Sequence, residues 1–163
     1  GWMELTHPVF RKYAEKHGAD FMVLDDSYNC EEARAGIGHG LWHFRIMNHY
    51  DLHSDYDRII HFDTDMLLMP DCPNLFDVVP YDSIGTILED KGSRAQHRVN
   101  CMMNAQRQLH YKFNHMSMYS EPWNNNPCRF DSHIIHYAGR GVFDEGISDK
   151  LEQAKMDYKR IYK

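Results

Sequence analysis

The sequence has 163 residues, 42% of them hydrophobic and 26% charged, with a formal net charge of −6. Those figures fit one globular domain and exclude a disordered chain. A mildly acidic chain also lacks the basic footprint of a non-specific nucleic-acid binder.

The expected elements alternate between helix and strand. Thr6 suits a helix cap, Pro8 its first turn and Gly18 its stop, with Val9, Phe10, Tyr13 and Ala14 on the apolar face. The run Phe21-Met22-Val23-Leu24, closed by Asp25-Asp26, reads as a buried strand. After the break at residues 36–40, a second helix is expected over Leu41 to Leu52. Tyr56 to Leu68 is β-rich and contains Asp63-Thr64-Asp65. Pro70 and Pro73 mark a loop, and Tyr81 to Leu88 reads as another strand, followed by Glu89-Asp90. Asn100 to Leu109 is weakly helical, and residues 117–131 are loop. Ser132 to Ala138 reads as a strand closed by Gly139-Arg140-Gly141. A last helix is expected at about 147–162, with Ile147, Leu151, Ala154, Tyr158 and Ile161 on one face. The alternation points to an α/β chain forming a single domain over residues 1–163.

No apolar run approaches the roughly 20 residues of a membrane span. No basic start followed by an apolar run opens the sequence. Cys30, Cys72, Cys101 and Cys128 are scattered without a C-x-x-C pair, as reduced thiols usually are. A cytoplasmic location is the expectation from these features.

Asp63-Thr64-Asp65 carries the strongest chemical signal. At the end of an extended run, residues two apart point the same way, so both carboxylates would face one side. The carboxyl ends of strands are where open α/β sheets bind ligands. Two hard oxygen donors suit Mg²⁺ or Mn²⁺, which accept diphosphate oxygens and neutralise a leaving group. The second signal is His133-Ile134-Ile135-His136-Tyr137-Ala138-Gly139. By alternation Ile134, His136 and Ala138 share one face of that strand, and His133, Ile135 and Tyr137 the other. A histidine nitrogen added to two carboxylates tips the preference toward Mn²⁺.

Tyr56–Leu68 with Asp63-Thr64-Asp65, then Asn74-Leu75-Phe76-Asp77, then His136-Tyr137-Ala138-Gly139, resembles metal-dependent GT-A glycosyltransferases of the glycogenin and lipopolysaccharide-galactosyltransferase type. The opening Leu5-Thr6-His7-Pro8 to Gly18-Ala19-Asp20-Phe21 is similar to their first helix and turn. The resemblance implies a Rossmann-like, mixed but mostly parallel sheet flanked by helices. It implies transfer of a sugar from a nucleotide-diphosphate donor, UDP-sugar being the first expectation, to an acceptor hydroxyl on a glycan, lipid or protein. It makes Asp63, Asp65 and His136 the metal ligands. It places Arg45, Asp63, Thr64, Gly139 and Arg140 at the donor. The family's lysine-proline-tryptophan after this strand is replaced by Arg140-Gly141-Val142-Phe143, and its middle segment is short around 91–104.

An inverting transferase needs a carboxylate base near the acceptor. Asp90 and Asp131 are the catalytic candidates, with Glu89 beside them. Asn104 and Asn114 could bond a sugar. An open sheet edge could be covered by a second copy, giving a homodimer. The alternatives are a haloacid-dehalogenase-like phosphatase, which also starts from an acidic pair after a strand, and a nucleotide-sugar-binding domain without turnover. A calcium loop starting at Asp63 is rejected, because Leu67 and Leu68 stand where an oxygen ligand and the turn glycine belong.

Overall fold

Thr6 lies inside the first helix rather than capping it. The computed structural model describes residues 1–24, 49, 52–87, 106–120, 122–139 and 141–163, and in it α1 spans Trp2–Lys16. Thr6 is fully buried, and its hydroxyl is 3.0 Å from the carbonyls of both Trp2 and Thr64. That bond from a helix to the Asp63–Asp65 turn is why a polar residue occupies the helix's inner face. Pro8 also sits within α1, forgoing one intrahelical N–H bond.

The remaining elements are β1 (Met66–Leu68), α2 (Leu75–Val78), β2 (Ile84–Ile87), β3 (Gln106–Leu109), β4 (His115–Met116), β5 (Ile134–His136) and α3 (Lys150–Ile161). β5 lies between β1, its antiparallel partner, and β4, its parallel partner. β2 and β3 form a separate parallel pair. Helices with a small mixed sheet make this an α/β chain. No helix among the described residues is long and apolar enough to cross a membrane.

Several expectations need correction. Phe21 to Leu24 is not a strand: only Phe21 packs on the core, while Met22 and Val23 are about half exposed. The ladder in Tyr56–Leu68 begins after the acidic pair, at Met66, not before it. Ile60 and Phe62 still pack inward at a two-residue spacing, so the pattern reported burial without strand pairing. Of the helix expected over Asn100 to Leu109, residues 100–105 lie outside the described residues, and Gln106–Leu109 is a strand, since pairing with β2 overrides a weak helical preference. Residues 117–131 contain three short 3₁₀ turns, with Asn125 and Asn126 at φ of 64° and 48°. Asparagine tolerates that left-handed backbone. The strand expected over 132–138 is reduced to β5. Of the second expected helix only His49 and Leu52 are described, and both are helical; its remainder lies outside the described residues.

Two apolar clusters lie on opposite faces of β1 and β5. Leu68 and Ile134 join Phe10, Tyr13, Cys72 and Leu75. Leu67, Ile135 and Tyr137 join Ala154 of α3, with Trp2 and Leu5 of α1 at the margin. The alternation read from the sequence is therefore realised. Tyr13 ties α1 to α2: its hydroxyl donates to the Pro73 carbonyl and accepts from the Leu75 amide, each at 2.8 Å. Asn74 caps the start of α2, and the Arg58 guanidinium bonds the carbonyls of Phe76 and Val79 at its end. Asp149 caps α3 by accepting from the amides of Leu151 and Glu152.

Candidate metal centre

The β1–β5 register explains how distant residues meet. Met66 lies opposite His136, and the Tyr137 amide donates to the Asp65 carbonyl at 2.9 Å. The turn at 64–65, held by Thr6, then places both acids beside the end of β5. One carboxylate oxygen of each acid and one ring nitrogen of His136 lie within 4.8 Å of one another. His136 Nε2 is 3.2 Å from Asp65 Oδ1 and 3.6 Å from Asp63 Oδ2. Asp63 is the exposed member, while Asp65 and His136 are largely covered. The carboxylates converge because a turn brings them to the same imidazole, not because they end a strand.

Each of the three side chains has an outer partner. His136 Nδ1–H donates to Asn114 Oδ1 at 2.7 Å, so Nε2 is the ring nitrogen that faces the acids. Lys150 Nζ donates to Asp65 Oδ2 at 2.8 Å. His61 Nε2 lies 3.6 Å from Asp63 Oδ1, and His61 Nδ1 is in turn 3.0 Å from His49 Nε2. Each acid thus has one oxygen against a basic side chain and the other turned to His136. Burial pushes the Asp65 carboxyl upward, but bonds from His136 and Lys150 outweigh it and hold it down at about 2. Asp63 is also held below the usual range, first by the bond from His61 and then by the neighbouring His136 ring. Both acids are therefore anionic near neutrality.

Two carboxylate oxygens and an imidazole nitrogen converging on one point fit a divalent cation, which would take the place of the Nε2 proton. Two oxygens and one imidazole nitrogen form a donor set for Mn²⁺ or Mg²⁺, with the nitrogen favouring Mn²⁺. Asn114, offered by the sequence as a sugar contact, bonds the imidazole through its Oδ1. His61 was not singled out in the sequence, although it stands two residues before Asp63, the spacing that would have flagged it. Nothing in the sequence pointed to Lys150. Two surface hollows along α1, past Arg11 and Glu15, include none of the three ligands. The converging donors mark this site.

Of the other expected site residues, Thr64 contributes its carbonyl to Thr6 and is itself exposed. Gly139 is exposed with φ of 62°. Asp131 is exposed on the turn Arg129–Asp131, and among the described residues it forms no hydrogen bond or ion pair with Asp63, Asp65 or His136. Arg45, Asp90 and Arg140, with Glu89 and Asn104, lie outside the described residues.

A second polar group adjoins the site from the opposite face of β5. Arg129 makes paired bonds to Asp144 at 2.9 and 2.6 Å and to Asp157 at 2.9 and 2.9 Å. The Tyr137 hydroxyl donates to Asp157 at 2.9 Å, and Gln153 bridges Asp144 and Asp157. Asp157 and Gln153 are buried, so this network joins α3 to the strand end. Between them, Gly141 turns the chain at φ of 61°; a Cβ there would lie 2.2 Å from the Tyr137 carbonyl.

Compared with known proteins, the chain matches no family model, no curated protein and no solved structure.

Proposed function

We propose that this domain is a metal-dependent glycosyltransferase that uses a nucleotide-diphosphate sugar, UDP-sugar foremost. The observation that carries the reading is the convergence of Asp63, Asp65 and His136 on one point. In this reading Asp63, Asp65 and His136 hold Mn²⁺ or Mg²⁺. The ion would bind the donor diphosphate and neutralise charge on the departing nucleotide. Asp65 and His136 form the covered part of the cradle, and exposed Asp63 faces the entering donor. Asn114 keeps the imidazole in place, and Lys150 pairs with the outer oxygen of Asp65. Gly139 and Thr64 stand at the rim where the donor would lie. The acceptor is a hydroxyl of a glycan, lipid or protein. A phosphatase of the haloacid-dehalogenase type is less well supported, because it needs its nucleophile at the end of a strand, and Asp63 precedes one.

The test is nucleotide release from UDP-sugars in Mn²⁺, comparing the unaltered protein with Asp65→Ala. Release by the unaltered protein that falls at least about a hundredfold in the variant is expected. Equal release by both overturns the reading.

A further inference from the structure

His49 and His61 stand outside the proposed ligand set, yet their rings meet. His49 Nε2 is 3.0 Å from His61 Nδ1, with ring centroids 4.9 Å apart and planes at 62°. Two imidazoles on one zinc ion, with bonds of about 2.0–2.1 Å at tetrahedral angles, hold their nitrogens about 3.3 Å apart. The observed contact is a hydrogen bond between the rings, and an ion replacing its proton would need them to widen only slightly. The pair is solvent-accessible, so an ion can reach it. His53 follows His49 by four residues, the spacing of neighbours on a helix surface.

The far nitrogen of His61 completes the pattern. His61 Nε2 faces Asp63 Oδ1 at 3.6 Å. A carboxylate behind an imidazole fixes its tautomer and raises its basicity as a ligand. Here it would place the proton on Nε2 and the lone pair on Nδ1, toward His49.

We propose that His49 and His61 form a second cation site, selective for a nitrogen-preferring transition ion such as Zn²⁺ or Ni²⁺. The site is distinct from the Asp63–Asp65–His136 centre in donor chemistry. Nitrogen donors favour Zn²⁺ and Ni²⁺, whereas carboxylates favour Mg²⁺ and Mn²⁺. The two centres share Asp63, which offers one oxygen to His136 and the other to His61. The proposal does not depend on sugar transfer.

Titration calorimetry with NiCl₂, ZnCl₂ and MnCl₂ tests it on the unaltered protein, His49→Gln and Asp65→Asn. In His49→Gln one of the Ni²⁺ or Zn²⁺ equivalents is weakened at least about tenfold or lost, while Mn²⁺ binding is kept. In Asp65→Asn the pattern reverses. Ni²⁺ binding of equal strength in the unaltered protein and His49→Gln overturns the proposal. A measurement on the unaltered protein stands should the variant misfold. Substoichiometric Ni²⁺ should broaden the imidazole resonances of His49 and His61 before those of other histidines, and broadening that starts elsewhere overturns the proposal.

Discussion

Lys150 Nζ bonds Asp65 Oδ2 at 2.8 Å although 85 positions separate the two residues. The ammonium also lies 5.8 Å from the centre of the Trp2 ring, so α1, the acidic turn and α3 meet at this point. It adds positive charge close to where a cation would bind. Lys150→Met removes that repulsion, so Mn²⁺ affinity should rise by about threefold to tenfold. Calorimetry at low salt measures it. Weaker binding would instead make Lys150 a support that Asp65 cannot do without.

Asn114 should matter as much as a ligand, without being one. Asn114→Leu frees the His136 ring to rotate or change tautomer. Divalent affinity should fall by about tenfold to a hundredfold, the usual cost of losing an outer partner. Thermal unfolding without metal should shift far less than the metal-induced rise in melting temperature, which separates orientation from folding.

The Arg129 network should dominate stability near α3. Asp157 is 2% exposed and receives bonds from Arg129, Tyr137 and Gln153. Arg129→Met leaves that carboxylate buried without its cation, at a cost of about 3–5 kcal/mol. Tyr137→Phe removes one donor and should cost about 1–2 kcal/mol. Urea unfolding of both variants checks the order; a larger loss in Tyr137→Phe would refute it.

His115 makes the fold acid-sensitive. Its ring is fully buried, with Nδ1 2.6 Å from Ser132 Oγ and Nε2 3.1 Å from Ser120 Oγ. Ser120 donates onward to the Pro127 carbonyl, so it accepts from Nε2–H, and a neutral ring satisfies the chain. Burial, then the Arg129 charge, lowers His115 from 6.5 to about 4. Between those values the unfolded chain holds the extra proton and the folded one does not. Stability is therefore complete above about pH 6.5 and falls as pH drops toward 4, by on the order of 3 kcal/mol from this group. In His115→Gln the pH dependence across that window should flatten by a comparable amount, as read from urea midpoints at each pH.

How far the sequence foretold the structure depends on the range of the contact. Asp63, Asp65 and His136 were visible because acidic spacing and strand alternation are local patterns. The apolar face of α3 was visible for the same reason, in Ala154, Tyr158 and Ile161. Its buried polar residues, Gln153 and Asp157, were not. Their partners Arg129, Tyr137 and Asp144 are brought in by tertiary folding, and no periodicity announces an ion pair. The mistaken strand at Phe21–Leu24 shows the opposite limit. An apolar run reports what would gain from burial, but Met22 and Val23 are left exposed. Thr6 misled as a cap because its hydroxyl serves a carbonyl 58 positions away.

His136 and Tyr137 are consecutive, and the first turns toward the acids while the second turns toward Asp157. A substitution that tilts this strand end must disturb both neighbourhoods. Drift that loosens the carboxylate–imidazole triangle also draws the phenol from its acceptor. A change that tunes the proposed cation affinity therefore alters resistance to unfolding as well.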